Sequence, residues 1–417
     1  MRFITSLTRM WLTRTIQPFT FKNEYDRLLP FAECETIGLY VHIPFCKSIC
    51  NFCPYCKVRY SAELCDTYID SLIQEIHLVG SQHTERKKVT SLYFGGGTPA
   101  LAAHRIKEIV AALKKHFVIT EGIGIELHPD NVNVAVLQAL KDAGVTKISI
   151  GVQSFCHKYQ KLLGRKKLDT DKMLSALSAV PFETVSMDFI FALPGQTYDD
   201  LKSDIETAFS LGANHIAIYP FIDFTFTESP LAAMPKKDKR RLLDAITQYC
   251  LDMGYFRSSV WTFSSEPNAS YSSMTRDTFL GFGCSATSLF KGQFKINTFD
   301  VASYCERISS GDLATALTIR FTQRQRMIYW LFWTAYSTRV NAKAFETFFG
   351  VPLKKMYGIE LWLAKQFGLL KEQNGTYEMT LKGAFYYHYY ENFYTLSYID
   401  KMWGILRKEA FPKQIKL

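Results

Sequence analysis

Four cysteines, Cys46, Cys50, Cys53 and Cys56, fall within eleven residues of this chain, in the run YVHIPFCKSICNFCPYC. The other six of its ten cysteines are dispersed. A secreted chain would scatter its cysteines as a disulfide framework, whereas gathered thiols point to a metal in a reducing compartment. The spacing Cys46-x3-Cys50-x2-Cys53 lets one loop wrap an iron–sulfur cubane, for which Cys thiolates are the usual ligands. Three protein ligands leave one iron open to a small molecule. Structural zinc is the alternative, but such sites pair two short Cys-x-x-Cys elements across a longer separation. The expectation is a [4Fe–4S] cluster on Cys46, Cys50 and Cys53. Cys56 is read as a bystander, with a fourth ligand of a resting state and a cluster neighbour as the alternatives. His42 either orients the loop or carries a proton. The nine histidines otherwise show no metal-ligand spacing. No nucleophile elbow, phosphate P-loop or zinc-protease motif is present, so hydrolytic chemistry has no support.

The cysteine loop must be held by the elements around it. From residue 36 the chain alternates short β-rich runs with amphipathic stretches. The runs are 36–43, 89–95, 122–127, 147–153, 184–193 and 214–221. Each is rich in β-branched and aromatic residues and suits a buried parallel strand. The intervening stretches carry apolar residues at spacings of three and four. Asp169 or Thr170, and Thr197, are expected N-caps, and Gly144 and Gly212 expected C-caps. Strands each followed by a helix imply right-handed parallel crossovers. The expected fold is α/β, a partial (β/α)6 TIM-like barrel whose active residues sit at the C-terminal ends of the strands. After 321 the pattern turns helical, then places Asn374-Gly375 between two β-like runs, a hairpin signal. This suggests a C-terminal, mainly helical, winged-helix-like domain. The tail YYHYYENFYTLSYIDKMWGIL reads as a docking helix. The expected division is 1–35, an amphipathic basic segment; 36–222, the barrel core; 223–320, a barrel extension and connection; and 321–417, the C-terminal domain.

The motifs around the loop carry a resemblance. Tyr40-x-His42-Ile43-Pro44-Phe45-Cys46 is followed by GGGTP at 95–99, GIELHP around Glu126, SIGVQSF around Gln153, LLGR ending at Arg165 and DFIFALPGQT from Asp188. This ordered set, strong over residues 36–220, resembles the oxygen-independent coproporphyrinogen III oxidase family of radical S-adenosylmethionine (SAM) enzymes, including heme chaperones and class C radical SAM methyltransferases. The resemblance implies a barrel of radical SAM type with SAM's methionine group on the open iron. One electron from the cluster would split SAM into methionine and a 5′-deoxyadenosyl radical. A reducing donor such as flavodoxin or ferredoxin would supply it. The resemblance implies SAM contacts from Gly96, Gly97 and Thr98, from Glu126, Gln153 and Asp188, and from Arg165 toward SAM's carboxylate, a task suited to bidentate pairing. Bare glycines at 95–97 let a ligand approach the backbone closely. Tyr40 and Phe52 flank the cluster and are expected to shield it and pack on SAM.

The chain departs from its relatives in three places. The oxidases continue their loop with Cys-x-Cys, where this chain has Cys53-Pro54-Tyr55-Cys56. The chaperones carry His two residues after the matching Arg, where this chain has Lys167. They also carry an HNxxYW-type heme motif, where this chain reads SYSSMTRDTFLGFG. Three activities stay open: oxidation of a porphyrin-like substrate, methylation of an aromatic or quinone-like one with a second SAM, and heme delivery.

Composition bounds the partners. Hydrophobic residues make up 47%, aromatics 15% and charged residues 21%. That composition supports a packed core, and the aromatics either enlarge that core or line a site for a large, flat substrate. The net charge of +10 attracts anions of several kinds, including carboxylate-rich substrates. No Lys/Arg block reads as a nucleic-acid arm, and no nucleic-acid partner is expected. No apolar run reaches the ~20 residues of a membrane span. Residues 1–22 carry Arg2, Arg9, Arg14 and Lys22 without an acid, and Phe3, Ile4, Leu7, Met10 and Trp11 at helical spacing. The segment fits a docking helix, an interfacial helix touching a membrane peripherally, or a transit peptide. The expected location is cytoplasmic, with a mitochondrial one if the segment is a transit peptide.

Overall fold

The computed structural model describes residues 2–31, 33–227, 229, 231–267 and 277–417. Parallel strands β1 (Thr36–Ile43), β2 (Lys87–Gly96), β3 (Ile123–Leu127), β4 (Val145–Gln153), β5 (Thr184–Phe191) and β6 (His215–Pro220) lie side by side in chain order. Their apolar residues are buried on both faces, as in the consecutive Phe189, Ile190 and Phe191 of β5, as helix-covered parallel strands require.

The longer helices between them are Ala62–Gly80, Ala103–His116, Val134–Asp142, Thr170–Ala179 and Tyr198–Ser210. Side chains that the sequence offers as caps start several of them. Asp169 accepts from the Lys172 N–H, and Thr197 forms a reciprocal capping box with Asp200. Gly144 and Gly212 leave two helices at φ 91° and 93°, where a glycine avoids the left-handed penalty.

The sheet continues past both edges of this six-stranded unit. Beyond β6 come the antiparallel strands Thr262–Ser264 and Phe256–Arg257. Beyond β1, strand β7 (Phe279–Phe282) pairs parallel to it. An antiparallel meander follows, β8 (Thr287–Phe290), β9 (Gln293–Asn297) and β10 (Thr315–Arg320). Thr20–Lys22 then pairs with β10 and with Gln414–Lys416, bringing the two terminal regions together.

Helices Gln323–Tyr336, Ala342–Phe349 and Leu353–Gln366 precede the hairpin Leu370–Gln373/Thr376–Met379, which Arg339–Asn341 completes as a third strand. Asn374 and Gly375 turn it with φ of 49° and 74°, the paired positive angles of a type I′ turn. Met327, Trp330, Phe345 and Tyr357 form a separate apolar cluster here. The aromatic tail then runs as helix Leu381–Tyr394, a π-helical turn Thr395–Ile399 and helix Asp400–Leu406.

Helix Arg2–Thr13 packs in an unexpected orientation. Thr5, Arg9 and Thr13, four residues apart, are buried, while Leu7 and Trp11 are about half exposed. Its polar stripe is the docked one: Thr5 Oγ1 lies 3.3 Å from Ser397 Oγ, and Arg9 lies over Phe19. Among the described residues no helix is long and apolar enough to cross a membrane.

Candidate functional site: a cysteine loop at the strands' C-terminal ends

The loop leaves the end of β1 and is pinched shut at its neck. Val58 N donates to Pro44 O at 2.8 Å and Tyr60 N to Cys46 O at 2.9 Å. Within it, Cys53 N reaches Cys50 O at 3.4 Å, and Lys57 Nζ donates to Cys53 O. Cys46, Cys50 and Cys53 are free and partly exposed, and Cys56 is buried. Burial, followed by the neighbouring Cys53 and Cys50, pushes the Cys46 thiol up to about 11. Without a cation these thiolates repel one another, and iron bound by all three would offset that cost. Thr98, expected at SAM, lies against the loop: its Oγ1 is 3.9 Å from Cys46 Sγ, and its N–H donates to Phe45 O at 2.8 Å.

The glycines of GGGTP also have a packing role within the chain. A Cβ on Gly95 would meet Tyr40 at 2.9 Å, one on Gly96 would meet His42 and Ile43 O at 2.8 Å, and one on Gly97 would meet Phe45 O at 2.7 Å. The chain's own first strand and loop fill the space that the missing side chains leave. Gly96 also sits at φ 125°, which favours glycine. These residues let β2 pack directly on the cysteine loop.

Two carboxylates sit on the strands that flank β4, Glu126 on β3 and Asp188 on β5. Glu126 accepts from Gly96 N at 3.1 Å and from Tyr93 OH at 3.2 Å. Burial first, then Asp188, push its carboxyl up to about 7. Asp188 accepts from Ser149 Oγ at 2.8 Å and Ser186 Oγ at 3.3 Å, and burial pushes it up to about 6. Two desolvated acids with raised pKa values could receive a cationic or hydroxyl-bearing ligand.

Gln153 ends β4 at φ 71°, a strained conformation for a non-glycine residue. Its neighbours fix it there: Ser154 Oγ and Phe155 N both donate to Asp204 at 2.7 Å. Arg165 donates from Nη1 to Gly151 O, and its guanidinium lies 5.9 Å from the centre of the Phe52 ring. Its Nε is buried with no protein partner among the described residues. A buried guanidinium N–H without an acceptor is costly, and a ligand carboxylate would satisfy it. The residues present therefore fit both implied groups: three thiols for the cluster, and Arg165, Glu126 and Asp188 for SAM's charged end.

Several residues here were not anticipated. Tyr93, Ser149 and Ser186 set the carboxylates. His128, held down to about 4 by burial and then by Arg165, joins the same side. The C-terminal helices also reach the loop. Arg407 Nη2 donates to Tyr55 O at 2.8 Å and to Pro54 O. Trp403 lies 6.0 Å from Tyr55 and 6.4 Å from Phe224. Asp400 accepts from Thr225 N at 2.7 Å and Thr225 Oγ1 at 2.6 Å. The only advance signal was the density of aromatics in the tail.

Known proteins share this fold. The family model of the radical SAM superfamily matches residues 40–208. Heme chaperone HemW of Lactococcus lactis is 31% identical over 270 residues, spanning 61% of this chain and 69% of that protein. An oxygen-independent coproporphyrinogen III oxidase of Pseudomonas aeruginosa is 26% identical over 314 residues, spanning 67% of each. The solved coproporphyrinogen III oxidase HemN of Escherichia coli superposes with a TM-score of 0.75 at 20% identity, over 91% of this chain and 96% of that one, and so shares the fold. The chain belongs to the radical SAM superfamily. Within it, the chain is a member of the family of oxygen-independent coproporphyrinogen III oxidases and HemW chaperones, and its cofactors are a [4Fe–4S] cluster and SAM.

Proposed function

We propose that the chain is a radical SAM oxidoreductase acting on a large, flat, porphyrin-like substrate. When bound, the cluster and SAM supply a 5′-deoxyadenosyl radical able to abstract hydrogen. Cys46, Cys50 and Cys53 hold the cluster. Arg165 Nε takes SAM's carboxylate, and Glu126 and Asp188 take its ammonium and ribose hydroxyls. Gln153, held in its strained turn, orients the adenosyl side, and Tyr40 and Phe52 keep water from the cluster. The buried, unpartnered Arg165 Nε carries this reading, with the raised carboxyls of Glu126 and Asp188 beside it in support. For the substrate, Tyr55 and Tyr219 are 54% and 41% exposed at the rim, and the net charge of +10 suits carboxylate side chains. A flavodoxin or ferredoxin supplies the electron.

Mass spectrometry of products after anaerobic incubation with SAM, a reductant and coproporphyrinogen tests this. 5′-Deoxyadenosine together with CO2 is expected. 5′-Deoxyadenosine together with S-adenosylhomocysteine would instead indicate a methyltransferase using two SAM molecules. Heme delivery is the second reading, favoured by the HemW match. Tight heme binding without SAM turnover would establish it in place of the first. The segment where the chaperones carry their heme motif lies largely in residues 268–276, outside the described residues.

We also propose that the outward face of the N-terminal helix touches membranes peripherally. Leu7, Trp11 and Ile16 are 45%, 52% and 82% exposed, and Arg14 stacks on Trp11 at 4.4 Å. Aromatic and basic residues together suit a headgroup layer. Sedimentation with anionic vesicles should carry the protein down, and Trp11→Ser should release it. Equal sedimentation of the two proteins would contradict this.

A further inference from the structure

Behind the cysteine loop lies a second group of ligand atoms that the SAM site does not use. Among the described residues, one nitrogen of His42 and the sulfurs of Cys56 and Cys284 all lie within 4.8 Å of one another. The three residues are 3%, 5% and 0% exposed. The two sulfurs are 3.8 Å apart. A tetrahedral cation with metal–sulfur bonds of about 2.3 Å holds two thiolates about 3.8 Å apart. A disulfide needs about 2 Å.

The fold brings the three together from distant parts of the chain. His42 is near the end of β1, Cys56 lies three residues beyond the last cluster ligand, and Cys284 follows β7. Strands β1 and β7 are parallel neighbours with Val41 opposite Phe282. Tyr68 OH ties them, donating to His42 O at 2.8 Å and accepting from Cys284 N at 2.9 Å. Buried Glu75 accepts from Gly283 N at 2.7 Å. A Cβ on Gly283 would lie 2.4 Å from Tyr68 OH and 2.6 Å from His42 O, so only glycine permits this approach.

Two further features belong to a ligand shell. Tyr40 OH lies 3.1 Å from His42 Nδ1, the kind of partner that fixes the ring of a metal-bound histidine. Ser285 sits at φ 56°, an uncommon angle for serine, and its Oγ is 3.3 Å from His42 Nε2. The hydrogen bond from Cys284 favours the thiolate of Cys56, while burial pushes Cys284 up. One buried thiolate beside one buried thiol and an imidazole is a soft donor set with room for a positive charge.

We propose that His42, Cys56 and Cys284 bind a single thiophilic divalent cation of the zinc type, distinct from the iron–sulfur cluster. Two thiols and one imidazole suit that ion. Binding releases the Cys284 thiol proton, takes Cys56 as the thiolate, and leaves the histidine proton on Nδ1, facing the Tyr40 oxygen. The fourth position faces Ser285 Oγ. The cation fastens the cysteine loop to β1 and to the glycine-rich turn after β7. Cys56 is then a structural ligand, neither a cluster ligand nor a bystander.

The test is elemental analysis of the cluster-loaded protein, prepared anaerobically, incubated with Zn2+ and desalted. About four irons, as in a [4Fe–4S] cluster, and one zinc per chain are expected. Cys284→Ser should lose the zinc and keep the iron. Cys46→Ala should lose iron and keep the zinc, which separates this site from the radical chemistry. Zinc-edge X-ray absorption of the unaltered protein removes dependence on any variant's folding. It should show two sulfurs at about 2.3 Å and nitrogen or oxygen at about 2.0–2.1 Å. Loaded protein with well under one zinc, a spectrum without sulfur, zinc retained in Cys284→Ser, zinc lost with iron in Cys46→Ala, or a Cys56–Cys284 disulfide would each overturn the proposal.

Discussion

Replacing Glu126 with glutamine should stabilise the cofactor-free protein at alkaline pH and cost it SAM. Burial holds the Glu126 carboxyl at about 7 against an ordinary 4.5. For an acid whose folded pKa is raised, the unfolded chain ionises first. Stability is therefore unaffected below about 4.5, falls as pH rises toward 7, and stays at the lower value above. At 1.36 kcal/mol per unit the full loss is at most about 3 kcal/mol. Glutamine removes the titration. Its carbonyl can still accept from Gly96 N, and its amide can donate to Tyr93 OH. Urea unfolding of cofactor-free Glu126→Gln and the unaltered protein should differ by up to about 3 kcal/mol at pH 8.5 in favour of the variant. By pH 5 the difference should shrink to about 1 kcal/mol or less. The same variant should bind SAM more weakly, since the carboxylate's attraction for SAM's ammonium is gone. A variant less stable at pH 8.5, or a difference that does not change with pH, would refute the reasoning.

Other substitutions probe other parts of the site. Arg165→Lys removes the planar fork and its unpartnered Nε. SAM affinity should fall roughly 10- to 100-fold, as expected for a hydrogen bond between charged groups, with iron content unchanged; an unchanged Kd would contradict the assignment. Gly96→Ala forces a Cβ to 2.8 Å from His42 and Ile43 O at φ 125° and should cost roughly 2–5 kcal/mol in urea unfolding. Gly164→Ala, at φ 70° with open space around it, should cost only about 1–2 kcal/mol. Arg407→Ala frees the Pro54 and Tyr55 carbonyls and should speed chelator-driven loss of iron severalfold, at unchanged iron content before the chelator is added.

Much of the fold was legible because buried parallel strands and capped helices announce themselves locally. All six strand runs match to within two residues at each end, and the differences have causes. β2 starts earlier, at Lys87, because Lys87 and Lys88 pair with Phe117 and Val118, a contact no local pattern shows. β5 stops at Phe191, short of the expected 193, because Ala192 turns to φ 65°. The N-terminal helix was visible in its periodicity, but which face docks was not. Thr5 and Arg9 find partners on residues far along the chain or beyond the helix. The cysteine loop was readable from spacing alone, since one short run carries all three expected ligands. The polar neighbours that tune Glu126 and Asp188 were not, because serines and tyrosines on separate strands carry no spacing signal. Cys56 shows the limit most clearly: its sulfur lies 3.8 Å from that of Cys284, 228 residues away.

The central claim is that Cys46, Cys50 and Cys53 hold a cluster that splits SAM. The most direct measurement is 5′-deoxyadenosine formed by the reconstituted, reduced protein under anaerobic conditions, beside single alanine variants at each of the three positions. The unaltered protein should show the broad visible absorbance of an iron–sulfur cluster and release 5′-deoxyadenosine. Each variant should lose both. Iron and SAM cleavage surviving in all three variants would contradict the account.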